Sequence, residues 1–159
     1  MIRFILKTFL TCAFLPILLT AHGQNMDTLA LKGFVRDAID TKLTNSELAE
    51  KYFCTDILTS KEKYGVEARA YLEFAFVHQR KYLRDKQVNA NKVSLKPFSQ
   101  LSESEMPPKP FHMLHETSNI YVSVYEGKSL VFFLLNKSKI ASTLLIGQGD
   151  EHYFVDFCH

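Results

Sequence analysis

The chain has 159 residues, 47% of them hydrophobic, with 19 basic against 17 acidic side chains and a formal net charge of +2. Arg3 and Lys7 are the charged residues of the first 23 positions, so the remainder carries about zero net charge and nothing in the balance calls for a nucleic acid or another polyanion. About 136 residues are then left for one domain with a real core, and 13 Phe and 7 Tyr suffice to fill it.

Residues 1–23 read as a cleaved secretory signal. Arg3 and Lys7 precede an apolar run through Phe9, Leu10, Phe14, Leu15, Ile17, Leu18 and Leu19, and Ala21-His22-Gly23 supplies the small-residue end. Pro16 and the shortness of the run argue against a membrane anchor. Cys12 has half of the apolar run downstream of it, where a lipoprotein cysteine would close that run. Processing after Gly23 makes Gln24 the first residue of a secreted or periplasmic chain with no membrane span. Cys54 and Cys158 then remain in a compartment that permits oxidation. They can close a loop of about a hundred residues, tying the end of the second helix to the last strand, or stay as two thiols.

Residues 24–85 form a helical half. Leu31, Phe34, Val35, Ala38 and Ile39 recur at helix spacing and predict an amphipathic helix from Asp27 to Lys42. Thr44-Asn45-Ser46-Glu47 has capping-box form and opens a short helix ending near Cys54. Thr59-Ser60-Lys61-Glu62 repeats that form before a long helix reaching Arg84, whose expected core stripe is Tyr64, Ala68, Tyr71, Leu72, Ala75, Phe76 and Leu83. His78 falls on this stripe with Tyr71, Ala75 and Tyr82, which together are the candidate pocket lining. The imidazole reads either as a hydrogen-bonded core histidine or as a pocket group, and spacing does not separate the two. Arg80, Lys81, Arg84 and Lys86 sit where cations complement the carbonyl end of a helix.

Residues 86–118 are a middle segment. Val93 and Leu95 allow a short strand, which Pro97 confines to an edge. Ser99 to Pro110, with Pro107, Pro108 and Pro110, reads as a linker crossing to the sheet, or as an arm that docks on an aromatic groove. His112 and His115 would share a helix face but alternate across a strand, and the residues that follow favour the strand. With no further ligand at a recognisable spacing, zinc there is a weak alternative and no metal or cofactor is expected.

Residues 119–159 are patterned as an antiparallel meander of Ile120 to Tyr125, Lys128 to Leu135, Lys139 to Ile146 and Glu151 to Phe157, separated by turn residues. Leu130 to Leu135 is apolar on both faces and should be central. In the last strand His152, Phe154 and Asp156 share one face. His152 and Asp156 stand roughly 13 Å apart at strand rise, too far to pair directly. The chain has no phosphate loop, nucleophile elbow, Cys-x-x-Cys or calcium loop.

Two short helices and one long helix packed on a curved, mostly antiparallel sheet of four to five strands make an α+β domain. The order of elements resembles the NTF2-like and cystatin-like group. The resemblance rests on the leading helix around Phe34-Val35-Arg36-Asp37-Ala38-Ile39-Asp40, the short helix ending near Lys51-Tyr52-Phe53-Cys54-Thr55-Asp56, and the closing strand His152-Tyr153-Phe154-Val155-Asp156-Phe157. It implies a concave sheet whose mouth, lined by helix residues, binds a small apolar ligand or forms a homodimer surface. The first expectation is thus an exported, non-catalytic binding or accessory domain with an apolar pocket between helices and sheet. A small isomerase, dehydratase or hydrolase using His78 or His152, with Asp156 nearby, is the second. A module docking a protein partner through a sheet edge is the third.

Overall fold

The computed structural model describes residues 15–54, 56–108 and 111–158. The first part of the expected leader, with Cys12, and Pro110 of the proline-rich segment lie outside the described residues. The elements are α1 (Leu15–Ile39), α2 (Asn45–Tyr52), a single turn α3 (Asp56–Thr59), α4 (Lys63–Asp85), then β1 (Ser94–Pro97), β2 (His112–Met113), β3 (Ile120–Tyr125), β4 (Lys128–Asn136), β5 (Lys139–Ser142), β6 (Leu145–Gln148) and β7 (Glu151–Phe154). Helices precede a mostly antiparallel sheet, so the fold is α+β. Helix α1 passes through the expected processing point, and Leu31, Phe34, Val35 and Ala38, which lie beyond Gly23, face the core. Among the described residues no helix is long and apolar enough to cross a membrane.

Local chemistry sets the helix starts. Thr44 caps α2 by accepting from the Glu47 amide at 3.2 Å, and the Glu47 carboxylate accepts from the Thr44 amide at 2.7 Å, which completes the expected capping box. The second expected box does not form. Helix α4 starts one turn late, behind Glu62, which makes no side-chain cap. Thr59 is consumed by α3, where its hydroxyl donates to the Asp56 carbonyl at 3.2 Å.

The strands form two sheets rather than one meander: β1-β3-β4-β5, and a smaller β2-β7-β6 in which β2 runs parallel to β7. The expected strand Lys139 to Ile146 breaks at Thr143-Leu144. There the buried Ser142 hydroxyl accepts from the Leu144 amide at 3.0 Å, a local turn that carries the chain from the first sheet to the second. Glu126 and Gly127, at φ 51° and 72°, link β3 to β4 in the doubly left-handed form that suits strand twist. At the register shift in β3, Ser123 accepts from the Val131 amide at 3.0 Å and donates to its carbonyl at 3.2 Å, so a buried hydroxyl replaces the lost ladder bonds.

Three layers result. One face of β4 sends Val131, Phe133 and Leu135 into the cluster shared with the helices, and the other places Phe132 and Leu134 among Ile120, Ala141 and Phe154 beneath the small sheet. That is why Leu130 to Leu135 is apolar on both sides. Between helices and sheet the Phe34 ring lies 5.6 to 5.9 Å from the rings of Tyr52, Phe53, Phe76 and Phe133. Cys54 and Cys158 are joined by a disulfide, with Cα atoms 5.4 Å apart and 104 positions of sequence between them.

Candidate functional site

The centre of the expected pocket between helices and sheet is filled by those phenylalanines, and a cleft of about 260 Å³ remains at its edge, where Leu31 and Tyr52 face Leu135 and Ile140. The long helix carries two apolar faces, and the sequence stripe mixed them. Its buried line is Gly65, Ala68, Leu72, Ala75, Phe76, Arg80 and Leu83, where small residues let α4 pack closely on α1 and α2. Tyr71 is 59% exposed and Tyr82 42%, with His78 exposed on the same flank, so of the four candidate lining residues Ala75 alone faces inward. His78 is therefore not a core histidine; its ring lies 4.3 Å from that of Phe74 on the outer face.

The remaining candidates are not gathered into one site. His152 stacks on Phe111 with ring centres 4.1 Å apart and has Nδ1 3.2 Å from the Asp150 carbonyl. Asp156 accepts from the Cys158 amide at 2.8 Å. His112 is exposed on β2, whereas His115 follows that strand and accepts from the Phe154 amide through Nδ1 at 3.3 Å. Among the described residues no group of three or more His, Cys, Asp or Glu is arranged to hold a metal ion. The basic run at the end of α4 is also dispersed. Arg80 turns inward, 8% exposed, and donates to the Leu43 carbonyl at 2.7 Å, while Lys81 pairs with Asp85.

A cleft does open elsewhere in the helical layer, between α2, α3 and α4, with a volume of about 250 Å³. Leu58, Leu72 and Phe76 form its floor and Ala49 one wall, with Glu50 and Glu73 at its rim. Its far wall is the single turn α3, tethered because the Arg69 guanidinium donates to the carbonyls of Leu58 and, at 2.8 Å, Ser60. Sequence reading passed over it because α3 has only four residues and no periodicity to display. Ala49 and Leu72 were each legible as apolar positions on their helices. Their convergence depends on the angle between those helices.

A second polar centre, also unforeseen, fastens α1 to α2. The Asp37 carboxylate, 13% exposed, accepts from Tyr52 Oη at 2.7 Å, Lys51 Nζ at 2.8 Å and Arg36 Nε at 3.1 Å. Burial alone would raise its pKa, but the hydrogen bonds from Lys51, Tyr52 and Arg36 outweigh that and hold it at about 2. Gly33 makes room for this arrangement, since a Cβ there would sit 2.9 Å from Tyr52 Oη. Glu105 plays the matching part in the middle segment. Lys96 and the Ser102 amide and hydroxyl bond its carboxylate and lower its pKa to about 2, and Ser129 donates to its backbone carbonyl, so the proline-bearing loop is pinned to the sheet. Compared with family models, curated proteins and solved structures, the chain matches none.

Both carboxylates titrate lower in the folded chain than in the unfolded one, so their contribution is complete above the unfolded carboxylate range near pH 4 and is lost as pH falls toward 2. For Asp37 the shift is worth about 1 to 2 kcal/mol after allowance for solvent screening. Urea unfolding of wild type and Asp37→Asn between pH 6 and pH 2 should show the variant less stable at the upper end and the two curves converging at the lower. Parallel curves would show that Asp37 is not the titrating group.

Proposed function

We propose that this chain is an exported, non-catalytic binding domain whose ligand seat is the cleft between α2, α3 and α4. The observation that carries the reading is the cleft's construction: an apolar floor of Leu58, Leu72 and Phe76, under a rim bearing the Glu50 and Glu73 carboxylates. A floor of that kind takes an apolar body, and two carboxylates at the mouth, against the single guanidinium of Arg69 that already bonds the Leu58 and Ser60 carbonyls, favour a cationic or hydrogen-bond-donating end. The ligand is thus a small apolar amine or a similar molecule. The resemblance to the NTF2-like and cystatin-like group supports a binding role, with the seat moved outward because aromatic rings occupy the centre of the space between helices and sheet. The sheet edges are weaker candidates for partner docking. Strand β1 ends in Pro97, and β5 is partly covered where Phe53 bridges to Ile140.

Phenethylamine is a direct probe, with phenylacetate as its opposite in charge. Calorimetric titration should find saturable phenethylamine binding with a dissociation constant below about 1 mM and phenylacetate weaker by about tenfold. Ala49→Phe, which fills the cleft from its wall, should abolish binding and leave the melting temperature within a few degrees of wild type. Equal affinity in the variant, or no saturable binding of either probe, would overturn this seat.

Export rests on the signal-like start and is supported by the disulfide, a bond that persists in oxidising compartments. Expressed with its own leader in a bacterium, the chain should be recovered outside the cytoplasm with an intact mass that begins at Gln24 and is two hydrogens short of the dithiol form. A mass that retains Met1 on a membrane-bound product would rule out processing.

A further inference from the structure

Eight large hydrophobic side chains stand exposed among the described residues, and six of them belong to α4: Tyr64, Val66, Tyr71, Phe74, Val77 and Tyr82. Scattered exposed apolar residues need no explanation, but this set lies along one helix of 23 residues whose other face already fills the core. At 3.6 residues per turn, the line opposite Leu72 runs through Lys63, Glu67, Ala70, Phe74, Val77, Lys81 and Asp85. Its centre is apolar. Each end carries a cation and an anion one turn apart, Lys63 with Glu67 at 3.8 Å and Lys81 with Asp85, in the same order along the helix.

That charge order distinguishes between possible occupants. A parallel pair related by a two-fold axis along the helices would set each of the four charges against its own like. An antiparallel pair related by a two-fold axis at Phe74 sets Glu67 against the second copy's Lys81 and Lys63 against the second copy's Asp85, and the symmetry makes each contact twice. The same operation lays Phe74 on its equivalent, Tyr71 beside His78, Ala70 beside Val77 and Tyr64 beside Tyr82. The exposed aromatic and β-branched residues are thus matched as well as the charges. We infer that the occupant of this face is a second copy of the chain, packed antiparallel along α4 about Phe74. The surface is distinct from the proposed ligand seat, which opens toward α2 and α3, and from the sheet on which the sequence suggested a dimer. One helix some 34 Å long is a small interface, so the dimer is a weak one with a dissociation constant on the order of 10 to 100 µM.

Sedimentation equilibrium of the processed, disulfide-bonded chain from about 5 to about 500 µM tests this directly. Wild type should pass from monomer to dimer across that range. Glu67→Lys and Lys81→Glu should each weaken association by about tenfold or more, and the double variant should recover to within about threefold of wild type, because the reversed charges again face their opposites. Phe74→Glu should remain monomeric throughout with an unchanged thermal melt, and Phe74→Ser takes its place if that variant does not fold. A wild-type monomer at the highest concentration, a dimer indifferent to Phe74, or a double variant no better than either single change would overturn the inference. Binding of this face to phosphatidylcholine vesicles without self-association would overturn it too.

Discussion

The Phe34 ring is the contact on which the rest of the molecule depends. It reaches Tyr52 and Phe53 at the end of α2, Phe76 in the middle of α4 and Phe133 at the centre of β4, so a single fully buried side chain of α1 touches each of the longer helices that follow and the central strand. Edge-on and tilted rings of this kind gain from their quadrupoles as well as from burial, and truncating such a group leaves a cavity that costs about 3 to 5 kcal/mol. Two polar fastenings work from the same junction. Asp37, one turn beyond Phe34, holds Lys51 and Tyr52, and Cys54, next to Phe53, is bonded to Cys158. The short helix α2 is thereby held to α1 by aromatic and ionic contacts and to the chain's end by a covalent one.

This junction bears on where the proposed ligand seat lies. The NTF2-like resemblance implies a cone between helices and sheet, but five aromatic rings crowd the centre of that space here. Room is also left one layer out, between α2 and the α3 turn that Arg69 tethers to α4. The same packing explains why α4 is apolar on two sides. Ala68 and Ala75 let its inner face approach α1 and α2 around Leu72, Phe76 and Leu83, whereas its tyrosines and Phe74 face outward. A line of exposed aromatic residues on one helix fits a covered face, and the charge order of α4 fits a second α4.

Much of the fold was legible because its signals are local. The α2 capping box, the Glu126-Gly127 turn, the edge position forced on β1 by Pro97 and the two-faced hydrophobicity of β4 each follow from a few adjacent residues. The disulfide was left open in the sequence because spacing does not report distance. Misreadings came where two elements had to be known together. The α4 stripe was drawn too wide because both of its faces are apolar: Ala68, Leu72, Ala75, Phe76 and Leu83 are buried as expected, whereas Tyr64, Tyr71 and His78 stand outside the contact that Phe76 makes with Phe34 and Phe53. The split of one expected strand into β5 and β6 turns on a hydrogen bond of Ser142 that has no periodicity. The cleft was illegible for a similar reason, since its wall is one turn of helix positioned by Arg69, nine to eleven residues away in sequence.

The proposed seat lies among the helices, and the competing cleft lies between helices and sheet beside Leu135 and Ile140. A methyl-resolved nuclear magnetic resonance titration with phenethylamine distinguishes the two most directly, because the two layers carry different reporters. Progressive shifts are expected for the methyl groups of Leu58, Leu72 and Ala49, with those of Val131, Leu135 and Ile140 unmoved. Largest shifts at Val131, Leu135 and Ile140 would place the ligand between helices and sheet and contradict the proposed seat.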